Sequence, residues 1–126
     1  MNLSGQAVLA LLKRKKAALG DLLIVCDDVA LPLGGVKVKA RGSDGGHKGL
    51  ASIIEKLGTK DFARLRLGIG KDDVNKDLAD YVLSPFKKEE KVVLDRVLDE
   101  AVEAMEVWIC DDIEKCMNRF NKKIKQ

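Results

Sequence analysis

Apolar residues recur at two different periods along this chain, and each change of period marks a new element. Leu3, Ala7, Leu9, Ala10 and Leu12 give residues 3–17 one apolar helical face. Lys13-Arg14-Lys15-Lys16 then load the last turn, where cations suit the helix dipole. Gly20 reads as the stop of this helix. Leu22-Leu23-Ile24-Val25-Cys26 is an unbroken apolar run closed by Asp27-Asp28. Its length and lack of alternation predict a strand covered on both faces, with Asp27 at the carboxyl end, where open α/β sheets place ligands. After a turn at residues 32–35, Val36-Lys37-Val38-Lys39-Ala40-Arg41 alternates strictly, so one face is apolar and the other carries three cations. Leu50, Ile53, Ile54 and Leu57 form a helical stripe that ends at Gly58. Arg64-Leu65-Arg66-Leu67-Gly68-Ile69-Gly70 alternates again, which puts Arg64 and Arg66 together on an outward basic face.

The remainder has helical spacing. Leu78, Tyr81 and Val82 predict a short turn that stops before Pro85. Residues 89–107 form a long amphipathic helix with Val93, Val97, Ala101, Ala104 and Trp108 on one stripe. Asp111 and Glu114 fit a capping box for a last helix that uses Ile113, Cys116, Met117, Phe120 and Ile124. The order of helix, two strands, helix, strand and then helices predicts an α/β sheet packed by helices.

Composition narrows this picture. A chain of 126 residues predicts one domain. No apolar run approaches the ~18 residues of a membrane span, and the opening Met1-Asn2-Leu3-Ser4-Gly5 shows no signal-peptide pattern. Cys26, Cys110 and Cys116 are odd in number and lack CxxC spacing, so they suggest neither a disulfide framework nor a zinc site. They read as buried reduced thiols. The net charge of +3 hides an uneven distribution. Residues 34–71 hold nine Lys/Arg against Asp44, Glu55 and Asp61, whereas residues 72–126 hold ten against fourteen Asp/Glu. A basic middle beside an acidic helical tail suggests one face built for a polyanion.

The chemistry concentrates in Arg41-Gly42-Ser43-Asp44-Gly45-Gly46-His47-Lys48-Gly49-Leu50, which contains the only histidine of the chain. Glycines at the mouth of a helix can turn several N–H groups onto one anion. The spacing matches neither a P-loop nor a dinucleotide fingerprint, and a tight strand-to-helix turn is the plain alternative. His47 reads as a general base, a phosphate donor or a packing residue of the loop. A base needs an orienting partner, and Asp44 or Asp27 are the candidates. Asp27 and Asp28 also read as a paired acid site, with one of them alternatively a turn residue. Lys37, Lys39, Arg41, Lys48, Arg64 and Arg66 together suit successive phosphates. Ser4, Ser43, Ser52 and Ser84 lie in no nucleophile elbow. Trp108 and Tyr81 are too few for a base-stacking platform.

Met1-Asn2-Leu3-Ser4-Gly5, Cys26-Asp27-Asp28 with Leu31-Pro32, the segment 42–50, Phe62-Ala63-Arg64-Leu65-Arg66-Leu67-Gly68-Ile69-Gly70 and Tyr81-Val82-Leu83 follow one another in an order that resembles the bacterial peptidyl-tRNA hydrolase family. The resemblance covers essentially the whole chain. It implies a single-domain mixed sheet flanked by helices, and hydrolysis of the ester that joins a peptide to the 3′ end of a tRNA. It implies no metal and no organic cofactor. The partner is the acceptor end of peptidyl-tRNA, with no membrane, in a cytoplasmic setting, and the family is generally monomeric. Residue by residue, it implies that Asn2 binds peptide and intermediate, and that Asp27 orients the catalytic histidine. It further implies that Gly45, Gly46, His47 and Lys48 line the substrate's 3′ end. Lys37, Lys39, Arg41, Arg64 and Arg66 are then the tRNA phosphate contacts.

The same resemblance identifies two departures. The family carries an N-terminal strand region and a His-Asn pair whose histidine is the base, both ahead of its Met-Asn-x-Ser-Gly motif. This chain opens at that motif, so residues 1–126 are expected to be a partial domain. Alone it is expected to be inactive, and poorly stable or self-associating. Lys48 stands where many members have an Asn, and an ammonium donates but does not accept. Two other readings remain: a non-catalytic RNA-binding relative that keeps the basic face, and a small phosphate-ligand enzyme using His47 with Asp27.

Overall fold

A computed structural model of the chain describes residues 3–70 and 87–121. In order it contains α1 (Ser4–Lys15), a 3₁₀ turn (Leu19–Asp21), β1 (Leu23–Asp28), β2 (Val36–Lys39), α2 (Lys48–Leu57), β3 (Ala63–Gly68), α3 (Lys88–Cys110) and α4 (Ile113–Asn121). The strands form a three-stranded sheet in the order β1-β3-β2, so the α/β class holds. Asn2, the turn at Leu78, Tyr81 and Val82, and Ile124 lie outside the described residues. The chain gathers into two compact units, Met1–Ile24 with Lys39–Arg64, and Val25–Val38 with Leu65–Gln126.

In the first unit, α1 packs on α2. The contact is close because Gly5 lacks a side chain: a methyl there would overlap the Ser52 carbonyl oxygen. The Gly5 N–H donates to Ser52 Oγ at 2.9 Å. On α2 the expected stripe is present, with Leu50 and Ile53 buried, and Gly58 ends the helix at φ 71°. The end of α1 differs from expectation. It stops at Lys16 in the left-handed region, φ 54°, and Gly20 falls in the 3₁₀ turn. The Lys16 N–H donates to Lys13 O and the Ala17 N–H to Leu12 O, so two backbone bonds hold a Schellman motif without glycine.

In the second unit, Val97, Ala101 and Ala104 are the buried line of α3, and α4 packs against that helix. The Cys116 Sγ donates to the Ala104 carbonyl at 3.3 Å. The cap of α4 is Asp112 and not Asp111: its Oδ1 accepts from the Lys115 N–H at 2.8 Å, while Asp111 pairs with the Lys115 ammonium. On β2, Val36 and Val38 are buried and Lys37 and Lys39 half-buried, as alternation requires. Two expectations fail. None of the residues of β1 is fully buried and Val25 is 42% exposed, because β1 ends the sheet order and has a strand neighbour on one side only among the described residues. Of the three thiols only Cys116 is buried; Cys26 is half-buried and Cys110 exposed.

Candidate functional site

The glycine loop belongs to the first unit and is built by its own short-range bonds. Asp44 forms an Asx turn, with its Oδ1 accepting from the Gly46 N–H at 2.8 Å and its carbonyl from the His47 N–H at 2.9 Å. Gly45 and Gly46 sit at φ 58° and 85°, which a side chain would strain. Nothing lies within 4 Å of where a Gly46 side chain would stand, so the backbone there is open to approach. Lys48 is the first residue of α2 and is exposed, as are Gly45, Gly46 and Arg41.

His47 is the N-cap of α2. Its Nδ1 accepts from the Leu50 N–H at 3.1 Å. A neutral ring that accepts through Nδ1 carries its proton on Nε2, so His47 is a donor at Nε2 and not a proton acceptor there. Protonation of Nδ1 would set two donors against each other and break the cap. Of the alternatives open to His47, the geometry therefore favours donation over general-base catalysis. Asp44, one candidate orienter, is engaged with Gly46 and not with the ring in the bonds just described.

Arg64 corrects the sequence reading. Alternation predicts an outward cation, yet Arg64 is 0% exposed. Its Nη1 donates to Ser43 O at 3.1 Å, and its Nη2 to Lys60 O at 2.7 Å and Phe62 O at 3.3 Å. The guanidinium lies 4.2 Å from the Phe62 ring centroid. The segment between α2 and β3 supplies carbonyls and an aromatic face on this side, so the guanidinium turns inward. It presents no surface to a phosphate.

In the second unit, Asp27 and Asp28 are the last two residues of β1, both half-buried. Asp28 is the turn residue, with Oδ1 accepting from the Ala30 N–H at 2.8 Å. Its Oδ2 meets Arg66 Nη1 at 3.4 Å, with side chains 15% and 14% exposed. Arg66 is thus a largely covered cation held by a carboxylate, and Lys37 lies in the same unit. The pairing of Asp28 with Arg66 was not read from sequence; it joins the last residue of β1 to a residue inside β3, its neighbour in the sheet. Among the described residues no group of three or more His, Cys, Asp or Glu is placed to hold a metal ion.

Fold and site together define an α/β protein in which a glycine loop opens a helix and a half-buried strand carries a row of cations. A family model for peptidyl-tRNA hydrolase matches residues 1–126. A peptidyl-tRNA hydrolase of Pseudothermotoga lettingae is 49% identical over 121 residues, which is 96% of this chain and 65% of the relative. One from a Sulfurihydrogenibium species is 48% identical over 124 residues, 98% of this chain and 66% of the relative. The crystal structure of the Acinetobacter baumannii peptidyl-tRNA hydrolase superposes with a TM-score of 0.87 at 30% identity, covering 96% of this chain and 61% of that one. The chain belongs to the peptidyl-tRNA hydrolase family. It spans about two thirds of the length of the curated relatives it matches.

Proposed function

We propose that this chain holds the acceptor end of peptidyl-tRNA and serves the hydrolysis of its ester in the cytoplasm. In that reaction a water oxygen attacks the acyl carbonyl carbon, the ester C–O bond breaks, and the ribose oxygen takes a proton. Gly45, Gly46, His47 and Lys48 receive the 3′ end, with His47 donating through Nε2 and Lys48 through its ammonium. Asn2, outside the described residues, keeps its family role toward the peptide carbonyl, and Asp27 its role in orienting the catalytic base. Lys37, Lys39, Arg41 and Arg66 meet phosphates; Arg64 leaves that set because it is buried. No metal, organic cofactor or membrane enters this reading. No described helix is long and apolar enough to cross a membrane.

One observation carries the division of labour. The only histidine of the sequence uses Nδ1 to cap α2, so these residues supply binding and orientation and not the proton acceptor. The same observation favours the second reading, an RNA binder without catalysis. Two assays on the 126-residue chain test them: affinity for uncharged tRNA against salt, and turnover of N-acetyl-aminoacyl-tRNA. Salt-sensitive binding with no significant turnover is expected. Failure to bind overturns the reading, and turnover matching a full-length relative overturns the role given to His47. Turnover restored by the unmatched part of a relative, added as a separate polypeptide, favours the enzyme over the binder.

A further inference from the structure

We infer that Arg64 is a positioning residue for the substrate loop: its buried guanidinium locks the entry of residues 42–47 to the start of β3, and so sets where His47 and Lys48 are presented. The inference rests on the reading of that loop as the seat of the 3′ end. A guanidinium is costly to bury, and an aliphatic side chain would fill the same space without that cost. What the guanidinium adds is a planar fork of donors that can join chain segments. Here it joins two. Nη1 holds the loop at Ser43 O, at 3.1 Å, and Nη2 holds the connection into β3 at Lys60 O and Phe62 O.

The Lys60 carbonyl is shared. It also accepts from the Gly42 N–H at 3.3 Å, so the loop entry is pinned at two consecutive residues through one cluster. The Phe62 ring beneath the guanidinium fixes the plane of the fork. At the other end the His47 cap fastens the loop to α2. Between these fastenings stand Gly45 and Gly46, both exposed and at positive φ, which have no side chains of their own to fix them. The Asp44 turn holds the Gly46 and His47 amides within the loop, so the turn is placed as a unit by its two ends, and the entry depends on Arg64.

Two variants test this, Arg64→Lys and Arg64→Met. The first keeps the charge and loses the fork, and the second loses both. Amide hydrogen exchange reads the loop, and the probe for binding is an RNA hairpin with a single-stranded 3′ end. In both variants the Gly42, Gly46 and His47 amides are expected to exchange roughly tenfold faster while Ile53 and Val97 keep their protection. Hairpin affinity is expected to fall roughly tenfold, with the salt slope of Arg64→Met unchanged because no phosphate contact is lost. A slope reduced by about one shows a direct phosphate contact and overturns the inference. Unchanged loop exchange overturns it, and so does unchanged affinity alongside faster exchange. If the unaltered chain does not bind the hairpin, the acceptor-end reading fails, and loop exchange alone decides the role of Arg64. Should Arg64→Met not fold, Arg64→Lys carries the same comparisons of exchange and affinity.

Discussion

The side-chain amide of Asn121 pairs with the backbone of Val38 as a strand would. Its Oδ1 accepts from the Val38 N–H at 2.7 Å and its Nδ2 donates to the Val38 carbonyl at 2.8 Å. The last residue of α4 thus satisfies both backbone groups of the residue between Lys37 and Lys39. Asn121→Ala leaves both without that partner and is expected to cost about 1–3 kcal/mol. Asn121→Asp keeps the shape but sets a carboxylate oxygen against the Val38 carbonyl. It is expected to cost at least as much as the alanine change, and urea unfolding of the two variants checks the order.

Gly5 and Gly20 are predicted to respond oppositely to alanine. At Gly5 the added methyl meets the Ser52 carbonyl, so α1 and α2 must separate, at a cost of about 1–3 kcal/mol. Nothing lies within 4 Å of the methyl at Gly20, and that change is expected to be neutral or slightly stabilising. Thermal melts of the two single variants test the contrast.

The two roles of His47 are separable. His47→Asn retains an N-cap acceptor and is expected to stay within about 0.5 kcal/mol of the parent in stability, while His47→Ala loses about 1 kcal/mol. Both remove the Nε2 donor and are expected to weaken tRNA binding to a similar extent. Equal stability of the two variants would refute the cap, and unaltered binding would refute the donor.

Alkali is expected to unfold the protein partly through Cys116. Burial pushes this thiol above its ordinary 9.0, and the Arg119 guanidinium pulls weakly the other way. A thiolate would also face the Ala104 carbonyl that the thiol now donates to. Well below pH 9.0 the group is protonated in both states and adds no pH dependence. Above it the unfolded chain releases the proton that the folded chain keeps, so stability falls as pH rises through the raised value. Cys116→Ala is expected to show a shallower loss over the same range in urea melts.

Much of the scaffold was legible because it follows from periodicity. The α2 stripe, the alternation of β2 and the buried line of α3 each repeat a spacing that burial then obeys. Arg64 was misread because alternation assigns a face and not a destination: a long side chain can turn back onto carbonyls that the next loop supplies. The covered strand expected at 22–26 depended on neighbours that no local pattern reports. Asp112 displaced Asp111 as a cap by one position, a shift within the ordinary uncertainty of helix ends. Asn121 carried no signal at all, since its partner is 83 positions away.

The exposure of β1 has a colloidal consequence. Among the described residues β1 stands last in the sheet order, and Leu23, Ile24 and Val25 offer other chains an apolar surface without a charge until Asp27. Concentrated solutions of this chain should scatter light increasingly with time. A lysine in place of Val25, already 42% exposed, would act as a gatekeeper at little cost to the fold and keep such solutions clear.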